Sequence, residues 1–328
     1  MGVLLAFHPG LITPVVYLVL PSLIINSQGL GYTDVFFLPQ LIGSLLLLTV
    51  NRNFYAGLLF GLAIFFKWQP AILLPLILVY LFFCQKGKNR LFKPGFFLMG
   101  MIIPQLILIW FKADPVITLK VLWGGAIADP ILSSALNFPW LVTQYLISSG
   151  RAVPNQAGAY FLEISKKNPF YSLMFTGRLI YLLVYAGILI QFTRKINNRS
   201  EFNFFLLTGH LVFFSYFMIS PAVHENHFYI PLILSLLLFL RNPNPRTITL
   251  LFISEIISFT NLFIFYGLTG ISLINIRENP VISVILTLIF TLIYFWQAQT
   301  YFTATARSEE PKGRLRKYKS LFSDFRIR

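Results

Sequence analysis

The chain has few charged side chains and a single cysteine. Charged residues make up 11% of its 328 residues, whereas hydrophobic residues make up 56%. Soluble domains carry about 25% charged residues, so this composition excludes a soluble domain and indicates a polytopic membrane protein. The lone Cys84 has no internal partner, which excludes a framework of internal disulfides.

Acidic residues are also scarce: 11 Asp and Glu stand against 26 Lys and Arg, for a net charge of +15. In a soluble protein this excess would suggest nucleic acid, but its position here argues for membrane orientation and against a nucleic-acid partner. We assign 18 of the 26 basic residues to alternate loops and to the tail, residues 300–328, on one side of the membrane. The positive-inside rule makes that side cytoplasmic, with both termini there and anionic lipids as a partner.

Ten apolar segments predict an all-α bundle of about ten transmembrane helices within residues 1–299. Several are shorter than the roughly 20 residues that a perpendicular helix needs. Segments 55–66 and 69–84 are therefore expected to form a hairpin with Lys67 near its tip. The long stretch 113–171 is expected to be external and to hold short interfacial helices. The ten segments are 10–26, 35–50, 55–66, 69–84, 96–112, 172–193, 202–219, 227–240, 247–266 and 281–298.

Two polar clusters interrupt this pattern: Lys67-Trp68-Gln69-Pro70 and His224-Glu225-Asn226-His227. A charge at a helix end on the face opposite the basic loops is costly unless it binds something. Lysine suits a phosphate, while carboxylates and carboxamides hydrogen-bond sugar hydroxyls. We expect these clusters to converge on one external cavity. Further polar residues expected on that face are Asn26, Ser27, Gln28, Tyr32, Asp34, Asn137 and Trp140.

These positions have structural alternatives. Lys67 can snorkel to the interface, and Asp34 can cap the helix that follows it. The spacing of His224, Glu225 and His227 differs from the H-E-x-x-H zinc motif, and it favours no structural metal. A divalent cation held together with a substrate phosphate stays open.

Three ionisable residues lie inside apolar segments: Arg178, His210 and Glu255. Such residues in membrane helices mark functional sites by default. Arg178 is near the external end of its segment, where it can reach a phosphate or snorkel. His210 and Glu255 are expected to pair with each other or with Arg178 and so to hold helices together.

Four stretches together resemble motifs of GT-C superfamily glycosyltransferases, which are polytopic enzymes that use polyprenyl-phosphate sugars. Residues 26–34, NSQGLGYTD, resemble N-S-x-x-x-G-Q-x-D. Residues 57–70, GLLFGLAIFFKWQP, are similar to G-L-x-x-G-L-A-x-x-x-K-x-Q. Residues 133–140, SSALNFPW, resemble S-A-x-N-x-x-W of the mannosyltransferase-like branch, and residues 223–229, VHENHFY, resemble its V/M-H-E-x-H/Y segment.

The resemblance implies a GT-C-like bundle that moves a hexose, most simply mannose, from a polyprenyl-phosphate donor to a lipid-linked or protein acceptor outside the cytoplasm. A prokaryotic chain would work in the plasma membrane on a cell-envelope glycan. The resemblance implies donor-phosphate binding by Lys67 and His224, and Arg178 joins them because it lies near the external end of its segment. Asp34 matches the family's second acidic position, and it is the candidate catalytic residue within this chain. The implied sugar- or acceptor-binding residues are Asn26, Gln69, Asn137, Trp140, Glu225 and His227.

Two departures from the family pattern affect this expectation. Tyr32 stands where the pattern has Gln. The family also carries an acidic residue in a first external loop, which would precede residue 1, so we expect a truncated chain that does not turn over alone. The alternatives are a flippase or polymerase of lipid-linked oligosaccharides, or a non-catalytic membrane subunit.

Overall fold

The computed structural model describes residues 20–26, 34–84, 92–110, 132–152, 162, 170–196, 201–266 and 280–303. This part of the chain is all-α apart from one short strand pair, which confirms the all-α part of the prediction. The first helices are α1 (Pro21–Ile24), α2 (Asp34–Thr49), α3 (Asn53–Phe66), α4 (Leu74–Phe83), which follows a 3-10 turn (Gln69–Leu73), and α5 (Phe92–Trp110). After them come β1 (Ser133–Ser134), α6 (Phe138–Ser148), α7 (Tyr171–Lys195), α8 (Glu201–Ile219), β2 (Val223–His224), a second 3-10 turn (Glu225–Phe228), α9 (Tyr229–Arg241), α10 (Pro245–Tyr266) and α11 (Pro280–Thr303).

Nine of the ten apolar segments coincide with described helices to within about five residues; most of segment 10–26 lies outside the described residues. Four described helices are long and apolar enough to cross a membrane, namely α7, α8, α10 and α11. The chain is therefore membrane-embedded. Four further described segments have shorter apolar stretches, with 10–17 residues each: α2, α3, α5, and the first 3-10 turn together with α4. A total of ten spans therefore remains a prediction.

The core of the bundle is built around α8 and α9. In the 18-residue apolar stretch of α8, 83% of the residues are buried, whereas the corresponding share is 22% in α7 and 28% in α11. α7 and α11 turn large side chains outward, among them Leu183 and Leu292. In a membrane, these faces contact lipid rather than water.

Glycines allow α3 and α5 to approach at backbone distance. The Cα of Gly57 faces the carbonyl group of Phe97, and that of Gly61 faces the carbonyl group of Met101. Gly100 on α5 faces the carbonyl group of Phe54 in return. Small residues on both helices are the usual means of close packing between membrane helices.

Polar bonds inside the bundle hold α8, α10 and α11 together. His210 on α8 lies 2.9 Å from the Ser254 hydroxyl and 2.6 Å from the Gln297 amide nitrogen. Glu255 instead accepts hydrogen bonds from the Ser22 backbone N–H and hydroxyl, each 2.8 Å long. The expected pairing of His210 with Glu255 is therefore wrong, because His210 bonds to Ser254 and Gln297, whereas Glu255 bonds to Ser22.

Basic residues gather at one end of the bundle. Lys195 donates hydrogen bonds to the carbonyls of Tyr301 and Phe302 at the end of α11, and Arg241 at the end of α9 donates to Asn203 at 3.0 Å. β1 and β2 lie at the other end of α8. The two sets of polar residues that the sequence assigns to opposite membrane faces thus occupy opposite ends of the bundle.

Candidate functional site

A two-residue parallel strand pair joins the loop before α6 to the loop before α9. Ser133 pairs with Val223, and Ser134 pairs with His224. The Ser134 hydroxyl lies 2.8 Å from His224 Nδ1, and it donates a 3.3 Å hydrogen bond to Glu225 Oε2. The pairing therefore fixes both side chains of the second polar cluster against β1.

His224 and His227 cap each other's backbone. The His224 N–H donates to His227 Nδ1 at 3.3 Å, and the His224 side chain accepts the His227 N–H in return. Because Nδ1 of His227 is an acceptor, its neutral ring carries the proton on Nε2. In this tautomer the Nε2–H is the donor of the ring.

His227 is half-buried in the turn before α9. Burial lowers the pKa of His227 well below its ordinary value of 6.5, and the nearby charges of Lys67 and His224 lower it further. His227 is therefore neutral at pH 7. The two polar clusters, far apart in the sequence, lie near each other, because the Tyr216 ring contacts both Trp68 and His227.

The end of α3 and a buried tyrosine explain how Lys67 reaches this position. α3 ends at Phe66, Lys67 takes an extended backbone, and the first 3-10 turn begins two residues later at Gln69. Trp68 packs edge-on against Tyr216 of α8, with ring centroids 6.0 Å apart. The same Tyr216 ring stacks on His227 at 6.0 Å, so Tyr216 connects the two clusters.

α7 also packs against this cluster of polar and aromatic residues. Tyr181 meets Tyr216 edge to face at 5.5 Å, and it stacks on Tyr185 at 5.9 Å. Arg178 is half-buried and lies three residues before Tyr181, hence on the same side of the helix. The structure therefore puts Arg178 on the face of α7 that carries the tyrosines of this cluster.

Two predicted sugar-binding residues use their polar atoms inside the protein. Asn137 Oδ1 accepts hydrogen bonds from the Trp140 N–H and the Ser133 hydroxyl, and its Nδ2 donates to the Phe217 carbonyl. The Trp140 indole N–H donates to Ser283 at 3.0 Å, and its ring is fully buried. These contacts cap α6 and attach it to α8 and α11, while a sugar contact by either residue stays a prediction.

The remaining predicted residues differ in how far the structure describes them. Gln69 and Glu225 are buried beside Trp68 and His224. Asn26 is fully buried just after α1, the short helix that packs on α10. Asp34 begins α2, but its side chain lies outside the description, as do Ser27, Gln28 and Tyr32. A role for Asp34 in capping or in catalysis therefore stays a prediction.

An apolar cavity of about 440 Å³ opens between α6, α7 and α11. The predicted site residues do not line it, so this cavity differs from the polar one expected. It adjoins the polar cluster nonetheless, because Gly177 packs on Pro221, and these two residues stand just before Arg178 and β2. The lining includes Leu132, Phe138, Gly177, Ile180, Pro221 and Tyr294.

Sequence reasoning missed three residues that build the cluster: Ser134, Tyr181 and Tyr216. Ser134 belongs to the stretch SSALNFPW, but a serine in a loop gives no sign of the strand pairing that brings it to His224. The two tyrosines lie inside apolar helices, where an amphipathic ring resembles any other core aromatic.

The residues of the cluster do not form a metal centre of their own. Within the described part of the chain, no group of three or more His, Cys, Asp and Glu side chains is arranged to hold a metal ion. A cation that arrives with a substrate phosphate stays a prediction.

No protein-family model matches the chain, and no curated protein sequence matches it significantly.

Proposed function

We propose that this protein is an integral membrane glycosyltransferase that moves a hexose, most simply mannose, from a polyprenyl-phosphate donor to a lipid-linked or protein acceptor. The observation that carries the proposal is that Tyr216 contacts both Trp68, which follows Lys67, and His227, next to an apolar cavity. Such a donor has an anionic head and a hydrocarbon tail, so it needs a cationic site and an apolar cleft side by side. On this proposal the cluster faces away from the cytoplasm, and the product belongs to a cell-envelope glycan.

The cluster suits the head group chemically. Lys67 and Arg178 are fixed cations for phosphate oxygens, while His224 and the neutral His227 supply ring nitrogens for hydrogen bonds. The cavity of about 440 Å³ falls within the usual range of roughly 300–1,000 Å³ for small-molecule pockets. It holds the first part of the tail, and the rest of the tail lies in the surrounding lipid.

The reaction places most new charge on the leaving phosphate. An acceptor hydroxyl oxygen bonds to the anomeric carbon of the hexose, the bond from that carbon to the phosphate oxygen breaks, and its electron pair leaves with the polyprenyl phosphate. A carboxylate takes the acceptor proton. The family places this carboxylate in its first external loop, and within this chain Asp34, which matches the family's second acidic position, is the candidate. Lys67 and Arg178 stabilise the developing negative charge in a site with little water.

The test compares two basic residues at opposite ends of α3. The chain, and a version extended upstream to include the first external loop that the resemblance implies, are placed in lipid nanodiscs with polyprenyl-phosphate mannose or glucose and a hydroxyl-bearing lipid acceptor. Lys67→Ala should lower kcat/KM about 10- to 100-fold, since a hydrogen bond to a charged group contributes about 1.5–3 kcal/mol. The exposed Arg52, at the other end of α3, supplies the control variant Arg52→Ala, which should transfer sugar at the wild-type rate.

Two results would contradict the proposal. The first is equal transfer by Lys67→Ala and wild type, which would leave Lys67 as a snorkelling residue. The second is absence of transfer by the wild type while labelled lipid-linked sugar crosses the bilayer, which would indicate a flippase instead.

A further inference from the structure

Tyr181 of α7 packs through its ring, but its buried hydroxyl takes no part in these contacts. The residue is 7% exposed, and its OH has no hydrogen-bond partner among the described residues. An unsatisfied buried hydroxyl costs about 1–3 kcal/mol relative to a satisfied one, whereas phenylalanine in its place would avoid this cost. Helix packing alone therefore gives no reason for a tyrosine here.

The neighbouring tyrosine on the same face provides a contrast. The Tyr185 hydroxyl donates a 2.6 Å hydrogen bond to the Ile72 carbonyl in the first 3-10 turn. Tyr185 thus ties α7 to the turn that begins with Gln69. The two rings stack on each other, yet one hydroxyl has a structural partner and the other has none in the described part of the chain.

A second buried donor lies in the same region. Gln69 is 3% exposed, and its amide nitrogen Nε2 also lacks a partner among the described residues. Gln69 follows Trp68, whose ring packs on Tyr216, and Tyr181 packs on the same Tyr216. One unsatisfied donor, Tyr181, therefore contacts the Tyr216 ring, and the other, Gln69, follows a residue that contacts it; the same ring stacks on His227.

We propose that the Tyr181 hydroxyl and the Gln69 amide donate hydrogen bonds to oxygens of the head group that binds beside Lys67 and His227. Both groups offer N–H or O–H donors, as Lys67 and Arg178 do, so the complementary ligand is rich in acceptor oxygens. The phosphate of a polyprenyl phosphate has this character. The identity of this ligand rests on the proposed function, whereas the two unsatisfied donors are observed independently of it.

The experiment measures the thermal unfolding of the full chain in nanodiscs, without ligand and with either polyprenyl phosphate or the uncharged polyprenol. Without ligand, Tyr181→Phe should unfold at the wild-type temperature or above it, because no internal hydrogen bond is lost. Tyr185→Phe should unfold several degrees lower, since it loses the bond to Ile72. With polyprenyl phosphate, Tyr181→Phe should bind about 10-fold more weakly than wild type or the exposed-residue control Tyr145→Phe.

A lower unfolding temperature of Tyr181→Phe without ligand would overturn the inference, because its hydroxyl would then have a partner inside the protein. Wild-type affinity of this variant, or equal binding of polyprenyl phosphate and polyprenol by the wild type, would also overturn it. The two proposals fail separately. If the wild type binds polyprenyl phosphate but neither it nor the upstream-extended version transfers sugar, the transferase proposal fails and the binding site remains. If the wild type and Tyr181→Phe bind polyprenyl phosphate equally well, the role of Tyr181 fails and the transferase proposal remains.

Discussion

His227 makes the stability of the site depend on pH. Its pKa in the folded protein lies well below 6.5 because of burial and of Lys67 and His224. Below pH 6.5 the unfolded chain therefore binds more protons at this residue, so its contribution to stability is present above that pH and is lost as the pH falls. The slope from one such group approaches about 1.4 kcal/mol per pH unit.

We expect the unfolding temperature of the wild type to drop between pH 7 and 5.5, and the drop to be smaller in His227→Gln. Thermal unfolding of both proteins in the same lipid measures this difference. Equal pH dependence of the two would mean that His227 titrates alike in the folded and unfolded chain.

At the scale of single residues, sequence reasoning found the charged members of the cluster because a charge in an apolar chain is conspicuous. His224 lies against His227, and Tyr216 links His227 to Trp68, which follows Lys67; convergence of these residues on one external cavity stays a prediction. Their partners Ser134, Tyr181 and Tyr216 were not foreseen, since their role comes from distant contacts and not from local pattern. In the stretch SSALNFPW, Asn137 caps α6 and Trp140 attaches this helix to α11. These structural roles account for both residues of the motif.

Among the elements, the contact of α3 with α5 gives the sharpest test. In Gly57→Ala the new Cβ would overlap the Phe97 carbonyl group, so α3 has to move away from α5. Such overpacking costs about 1–3 kcal/mol and should lower the unfolding temperature by several degrees. Gly95→Ala on α5 is the matched control, because no atom lies within 4 Å of its Cβ position.

Gly57 and Gly61 also belong to the stretch that resembles a glycosyltransferase motif. The structure supplies a packing reason for both, since each faces a backbone carbonyl of α5. If Gly57→Ala unfolds at the wild-type temperature, close packing of α3 on α5 does not require a glycine at this position. The resemblance to the glycosyltransferase motif would then be the remaining explanation for the two glycines.

Helix positions were predictable because long apolar runs between polar loops leave few alternatives in a membrane. The strand pair of β1 with β2 was not, since two residues of ordinary composition carry no periodic signal. α6 was foreseen only as a short helix somewhere in the stretch 113–171. Its start depends on the cap made by Asn137, which is visible as a pattern only once the helix is known.

For the whole molecule, the two ends of the bundle predict opposite exposure. In a variant whose native cysteine is replaced, Cys84→Ala, we introduce single cysteines at Ser148, Arg52 and Asn242, all exposed. A membrane-impermeant maleimide should label position 148 on intact cells, and positions 52 and 242 only after the membrane is opened. The reverse labelling would put the cluster of Lys67 and His224 on the cytoplasmic side and contradict the proposed donor site.

The helices of this bundle also differ greatly in length. α3 has 14 residues and α2 has 16, so at about 1.5 Å per residue they are about 21 and 24 Å long. α7 has 25 residues and exceeds the hydrocarbon thickness of about 30 Å. On the predicted ten-span topology, a bilayer meets this mismatch by thinning around the short pair. The protein would then deform its lipid unevenly, and it should fit best in membranes whose acyl chains are short or easily compressed on the α2–α3 side.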